Sequence, residues 1–340
     1  MKHQRFFLIN LIVLSITFYS CSDKTKNEED KSASSSNSSD TIQRIIIKMV
    51  AIETPKGKFN IWTKSIGNNP SKKILLLNGG PGCTHEYFEC FENFLPKENI
   101  EFIYYDQLAC GNSDNPKDTS LFDLARYVEE VEQVRTALKL DTSNFYLLGH
   151  SWGGILAMQY ALKYQNNLKG LIISNMMASC PKYGKYADDV LAKQMNPKVL
   201  DSIRMIEKKG NYEDPKYMAL LEKYYYSQHI CRLPKYPEPV SRSFDKTNTD
   251  LYVIMQGPSE FGISGKLTKW DVSDQLKNIH VPTLVIGATY DTMDPKYMEW
   301  MSKQFPKGEF LLCENGSHMC MYDDQQTYMN GLIKFMKSTH

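Results

Sequence analysis

Residues 144–160, NFYLLGHSWGGILAMQY, constrain the fold of this chain more than any other stretch. An apolar and aromatic run stops at Gly149, a serine follows among small residues, and a helix-like pattern begins with no loop between them. Gly149-His150-Ser151-Trp152-Gly153 fits G-x-S-x-G, and the strand-then-helix context gives this short pattern its weight. Glycines are needed because a serine at so abrupt a turn sits in a strained backbone with neighbours pressed against it. The plainer alternative is a serine that caps the helix. As a nucleophile, Ser151 would stand beside the free N–H groups and positive end of the helix that follows.

That turn belongs to a longer rhythm. Strand patterns at 72–80, 100–107, 144–151 and 168–175 alternate with helical patterns at 121–140 and 152–164. Residues 44–52 and 58–66 read as a hairpin across a turn at 54–57. The alternation predicts an α/β fold, a mostly parallel twisted sheet with helices on both faces. It breaks at Met177, resumes at about residue 270, and closes with strand, helix, strand and helix patterns from Val281 onward. We therefore expect one core from residues 42–176 and 270–340, interrupted by a helical, tyrosine-rich cap at 177–269.

A serine hydroxyl needs a base. The chain has 7 histidines, so elimination is practicable. His3 lies in the leader and His340 ends the chain. His150 adjoins the serine and should point elsewhere. His85 comes too early for the order Ser, Asp, His. His229 lies in the insertion and His280 precedes a strand. His318 sits in CENGSHMCM, a loop after the final strand pattern, and is the expected base. Its orienting carboxylate is expected at Asp291, at the end of the strand LVIGATYD. Asp294 precedes Pro295 and reads instead as a helix cap. LLLNGGPGC (75–83) puts glycines just past a strand, so Gly80 N–H and Trp152 N–H are the expected oxyanion donors.

Composition narrows the partners. Net charge is +1, from 40 basic and 39 acidic residues, with no long basic run, so nothing marks a nucleic-acid binder. No CxxC pair occurs, and we expect no metal and no cofactor. Of the 8 cysteines, most read as buried free thiols. Residues 1–21 have signal-peptide anatomy: Lys2 and Arg5, then an apolar stretch from Phe6 to Phe18, too short to span a bilayer. Cys21 at its end resembles a lipobox cysteine, although Phe18 and Tyr19 depart from that pattern. Residues 22–41 are polar and serine-rich, the composition of a flexible tether. The expectation is an exported bacterial lipoprotein, held to a membrane through a lipid on Cys21 and facing the periplasm or cell surface.

Taken in order, NGGPG, YYDQLACGNSD, GHSWGG, GATYDTMDP and GSH resemble the proline iminopeptidase family of α/β hydrolases, which includes the tricorn-interacting aminopeptidases. The likeness runs from Arg44 to the C-terminus. It includes cap segments at 224–233 (YYYSQHICRL) and 255–271 (MQGPSEFGISGKLTKWD). It implies hydrolysis of the bond after an N-terminal residue, often proline, in a peptide with a free N-terminus. By the same likeness Glu260, with Glu222 second, would hold the substrate ammonium. One departure is Asn78, where the family's glycine motif usually begins with His. A carboxylesterase or lipase with the same triad is the alternative, and it would need no free amine.

Overall fold

The structure, a computed structural model, describes residues 44–339. Cys21, the leader at 1–21, the tether at 22–41, His3 and His340 lie outside the described residues.

Eight strands form one sheet: β1 (Ile45–Thr54), β2 (Gly57–Ile66), β3 (Lys73–Leu77), β4 (Glu101–Tyr105), β5 (Phe145–His150), β6 (Gly170–Ser174), β7 (Thr283–Ala288) and β8 (Gly308–Cys313). Their spatial order is β1-β2-β4-β3-β5-β6-β7-β8. Pairing is antiparallel from β1 to β4 and parallel for the rest. The β1–β2 hairpin closes with Thr54 opposite Gly57, whose φ of +117° is open to glycine but strained for other residues.

The central strands β3 to β7 are mostly apolar and buried nearly end to end because both faces are covered. Their period of two divides the side chains between two cores. Leu75, Leu77, Ile103, Tyr105, Leu147, Leu171, Ile173 and Val285 enter one. Ile74, Leu76, Phe102, Tyr104, Tyr146, Leu148, Ile172 and Ile286 enter the other. Each such side chain contributes roughly 1.5–3 kcal/mol of burial.

Helix α1 (Leu124–Ala137) lies against the first core through Tyr127, Val128, Val131 and Val134, the face its spacing predicts. It starts three residues later than the apolar pattern because the Asp123 carboxylate caps it, accepting from Arg126 N–H at 3.1 Å. Helix α2 (Trp152–Tyr164) follows β5 with one residue between. The strand read at 72–80 ends at Leu77, and Asn78, Gly79 and Gly80 leave the sheet as a loop.

Residues 177–269 carry helices and turns and no named strand. A pair of crossed backbone bonds closes the segment at its base: Cys180 N–H to Trp270 C=O and Val272 N–H to Ala178 C=O, both 2.9 Å. Ser179 Oγ adds a bond to Asp271 Oδ2 at 2.6 Å. Many of the tyrosines here are core: Tyr183, Tyr217 and Tyr225 are fully buried. The seven described cysteines are all buried and unpaired.

Candidate active site

Register places the functional loops together. Leu77 pairs with Gly149, His150 with Ser174, Ser174 with Ile286, and Ala288 with Cys313. The strands thus end in line, and the loops at 78–80, 151, 175, 289–294 and 314–319 leave the same edge. This is where an open α/β sheet forms a crevice.

Ser151 occupies φ +55°, ψ −126°, a conformation non-glycine residues avoid, and its side chain makes no capping bond to the helix. The capping alternative for this serine therefore fails. Its surroundings hold it there. A Cβ on Gly149 would lie 1.9 Å from Gly153 O, and one on Gly153 would lie 2.1 Å from Leu77 O. A Cβ on Gly79 would lie 2.8 Å from Ser151 Cβ. Only glycine fits these three positions. Ser151 N–H donates to Ser174 O at 3.0 Å. Trp152 N–H opens α2 and is one of the four without an intrahelical acceptor.

His318 Nδ1 lies 2.7 Å from Asp291 Oδ1, and both side chains are buried. The carboxylate holds the proton on Nδ1, so Nε2 keeps the lone pair a base requires. Nε2 is buried and has no hydrogen-bond partner among the described residues. Burial pulls His318 down, but the Asp291 charge and hydrogen bond outweigh it and hold the imidazole above its usual value. Asp291 is itself braced, because Asn175 Nδ2 donates to Oδ2 at 2.8 Å. Asp294 caps the helix Pro295–Ser302, accepting from Lys296 N–H at 2.9 Å. The rings of His150 and His318 are 4.9 Å apart between centroids, which brings the base beside the elbow.

The inserted segment grips the base loop through its backbone. His318 N–H donates to His229 O at 2.9 Å, Met319 N–H to Ile230 O at 2.8 Å, and Ser317 Oγ to Ile230 O at 2.9 Å.

Side chains brace the glycine loop. Asn78 Nδ2 donates to Cys83 O, and Asn78 O accepts from Gln107 Nε2 at 3.1 Å. Gly79 N–H donates to Tyr87 Oη. Gly80, at φ +103°, makes no hydrogen bond among the described residues, so its N–H is an uncommitted donor. The Asn78 amide thus braces the loop without titrating.

Glu260 lies partly buried in the segment between β6 and β7. Oε1 accepts from Tyr252 Oη at 2.6 Å, its N–H donates to Tyr226 Oη at 3.0 Å, and its C=O accepts from Tyr183 Oη at 2.7 Å. Burial raises its carboxyl above the ordinary range, and the charge of His318 pulls against that. Its field in turn supports a charged His318. Glu222 is exposed, and the bond it makes is with Tyr236 Oη at 3.4 Å, so nothing ties it to Ser151 or His318. His85 pairs with Asp106 at 2.9 Å and stacks on Trp62, a structural role. Among the described residues, no group of three or more His, Cys, Asp or Glu is placed to hold a metal ion.

Sequence reasoning missed Asn175, Tyr87, Gln107 and the three tyrosines about Glu260. Asn175 alone had a signal, as a polar residue ending the apolar run LIIS.

A family model described as the alpha/beta hydrolase fold matches residues 72–325. A proline iminopeptidase of Flavobacterium johnsoniae is 56% identical over 292 residues, 86% of this chain and 98% of that protein. A proline iminopeptidase of Chitinophaga pinensis is 56% identical over 294 residues, again 86% and 98%. The crystal structure of a proline iminopeptidase of Mycobacterium smegmatis superposes with a TM-score of 0.76 at 25% identity, covering 86% of this chain and 98% of that one.

Proposed function

The chain belongs to the proline iminopeptidase family of α/β hydrolases, and from that premise we propose that it is a serine aminopeptidase removing N-terminal proline from peptides. The observation that carries the mechanism is the buried, unbonded Nε2 of His318, fixed by Asp291 beside the strained Ser151 elbow.

The Ser151 hydroxyl attacks the carbonyl carbon of the first residue while His318 Nε2 takes its proton. Gly80 and Trp152 N–H groups receive the developing oxyanion, already oriented before the reaction. The imidazolium, stabilised by Asp291, returns the proton to the nitrogen of the second residue. That peptide departs and leaves the first residue as an ester on Ser151. Water, deprotonated by the same Nε2, attacks the ester, and free proline leaves as the imidazolium returns that proton to Ser151 Oγ. Glu260 holds the substrate ammonium, a charge that is costly to bury unpaired. Support for that role is its partial burial, its bond from Tyr252 and its mutual field with His318. Glu222 is the lesser candidate for a second ammonium contact.

Ser151→Ala tests the reading. The account expects loss of proline β-naphthylamide cleavage by about a thousandfold or more, together with loss of labelling by a fluorophosphonate. Retained cleavage would remove Ser151 from the mechanism. We further propose that the chain is exported and anchored by a lipid on Cys21. Support for this comes from the basic, apolar and then polar composition of residues 1–41.

A further inference from the structure

The nucleophile elbow carries a second histidine whose work the reaction leaves unstated. His150 is 2% exposed, and both ring nitrogens are engaged. Nε2 lies 2.9 Å from His318 O, and Nδ1 lies 3.1 Å from Tyr87 Oη. A carbonyl oxygen only accepts, so Nε2 must carry the ring proton. Nδ1 is then a lone pair and must accept, so the Tyr87 hydroxyl donates to it. The Tyr87 oxygen, its proton spent, accepts from Gly79 N–H. Every proton in the run has one place to go. The ring stays neutral, because burial, then the neighbouring His318, push it down to about 3.

The two ends of this run are the two halves of the catalytic apparatus. Gly79 is the residue before the oxyanion donor Gly80 and packs against Ser151. The His318 carbonyl belongs to the base. We propose that His150 and Tyr87 are positioning residues, forming one directional chain that sets the oxyanion loop and the base loop relative to each other across the elbow: Gly79 N–H to Tyr87 O–H to His150, and His150 Nε2–H to the His318 carbonyl. The inference rests on the reading of Ser151, His318 and Gly80 given above. Its consequence is selective. Loosening the chain weakens binding of the oxyanion form and leaves ground-state binding of the proline ring and ammonium alone.

Tyr87→Phe keeps the ring, which packs edge-on to His150 at 5.3 Å, and removes only the hydroxyl. Three quantities decide the matter. They are kcat on proline β-naphthylamide, the affinity of L-prolinal, an aldehyde that adds to Ser151 and forms the oxyanion, and the affinity of L-prolinol, which cannot. The expected result is a fall in kcat of roughly 10–100-fold, a matching fall in prolinal affinity, and prolinol binding within about twofold of the parent. Unchanged kcat, or equal weakening of prolinal and prolinol, would overturn the inference, since the tie would then serve only the fold. His150→Gln retains a donor for the His318 carbonyl but offers nothing at the Nδ1 position, and it repeats the test should Tyr87→Phe fail to fold. The double variant should be no worse than the more impaired single, and losses that multiply would break the claim of one chain. An active Ser151→Ala enzyme would instead overturn the mechanism beneath the inference. An inactive Ser151→Ala beside an unaffected Tyr87→Phe overturns the inference alone.

Discussion

His318 is a base only when neutral, and its environment sets the pH at which that occurs. Desolvation opposes its charge, but Asp291 at 2.7 Å holds the pKa above the ordinary 6.5. A raised pKa keeps the proton on to higher pH, so kcat/KM should climb with pH through a midpoint above 6.5. On the alkaline side, loss of the substrate's ammonium, near pH 8 for an ordinary α-amine, should bring it down. A pH profile of kcat/KM checks both limbs, and an acid limb centred below 6.5 would contradict the dyad geometry. His150 takes no part in this titration, because burial leaves it neutral at every such pH. At this scale much of the site was legible in the sequence. Few histidines were available, and the order Ser151, Asp291, His318 with Asp294 before a proline left little freedom. Asn175 showed only as a polar end to an apolar run, and Tyr87 was not legible. The first reaches Asp291 through the register that sets Ser174 beside both His150 and Ile286. The second reaches His150 from a 3₁₀ helix at His85–Asn93, a neighbour that no local pattern specifies.

The elements meet tightly where α2 crosses β3. Gly153 lets the first turn of α2 sit on the end of that strand, and a methyl there would lie 2.1 Å from Leu77 O. The obstacle is backbone rather than a flexible side-chain tip. Gly153→Ala should therefore cost about 3 kcal/mol or more of stability, read as a lowered denaturation midpoint with an unchanged m-value. A variant as stable as the parent would mean the elbow can relax, and the strain argued for Ser151 would lose its support. Element boundaries followed capping chemistry rather than apolar periodicity. Asp123 and Asp294 stop the polar ends of helices where their carboxylates reach a free N–H. β3 ends at Leu77, before the glycines, because the loop they form must swing toward Ser151. The backbone bonds from residues 229–230 to the base loop were invisible in the sequence, since backbone pairing leaves no trace in side-chain pattern.

The whole chain joins a hydrolase body to an N-terminal stretch of different composition. If Cys21 bears the lipid, Cys21→Ser should shift the protein from the membrane to the soluble fraction of its host while leaving the turnover of proline β-naphthylamide by extracts unchanged. A variant that still sediments with membranes would refute anchoring at that residue. On the proposed reading, specificity rests on the Glu260 carboxylate and the Ser151 hydroxyl acting on one substrate. An esterase with this triad would be indifferent to the substrate's amine, whereas an aminopeptidase must recognise its charge. The most direct measurement is kcat/KM for proline β-naphthylamide against its N-acetylated form. A preference for the free amine of about a hundredfold or more is expected, the scale of a buried charge pair left without its partner. Equal turnover of the two would contradict it.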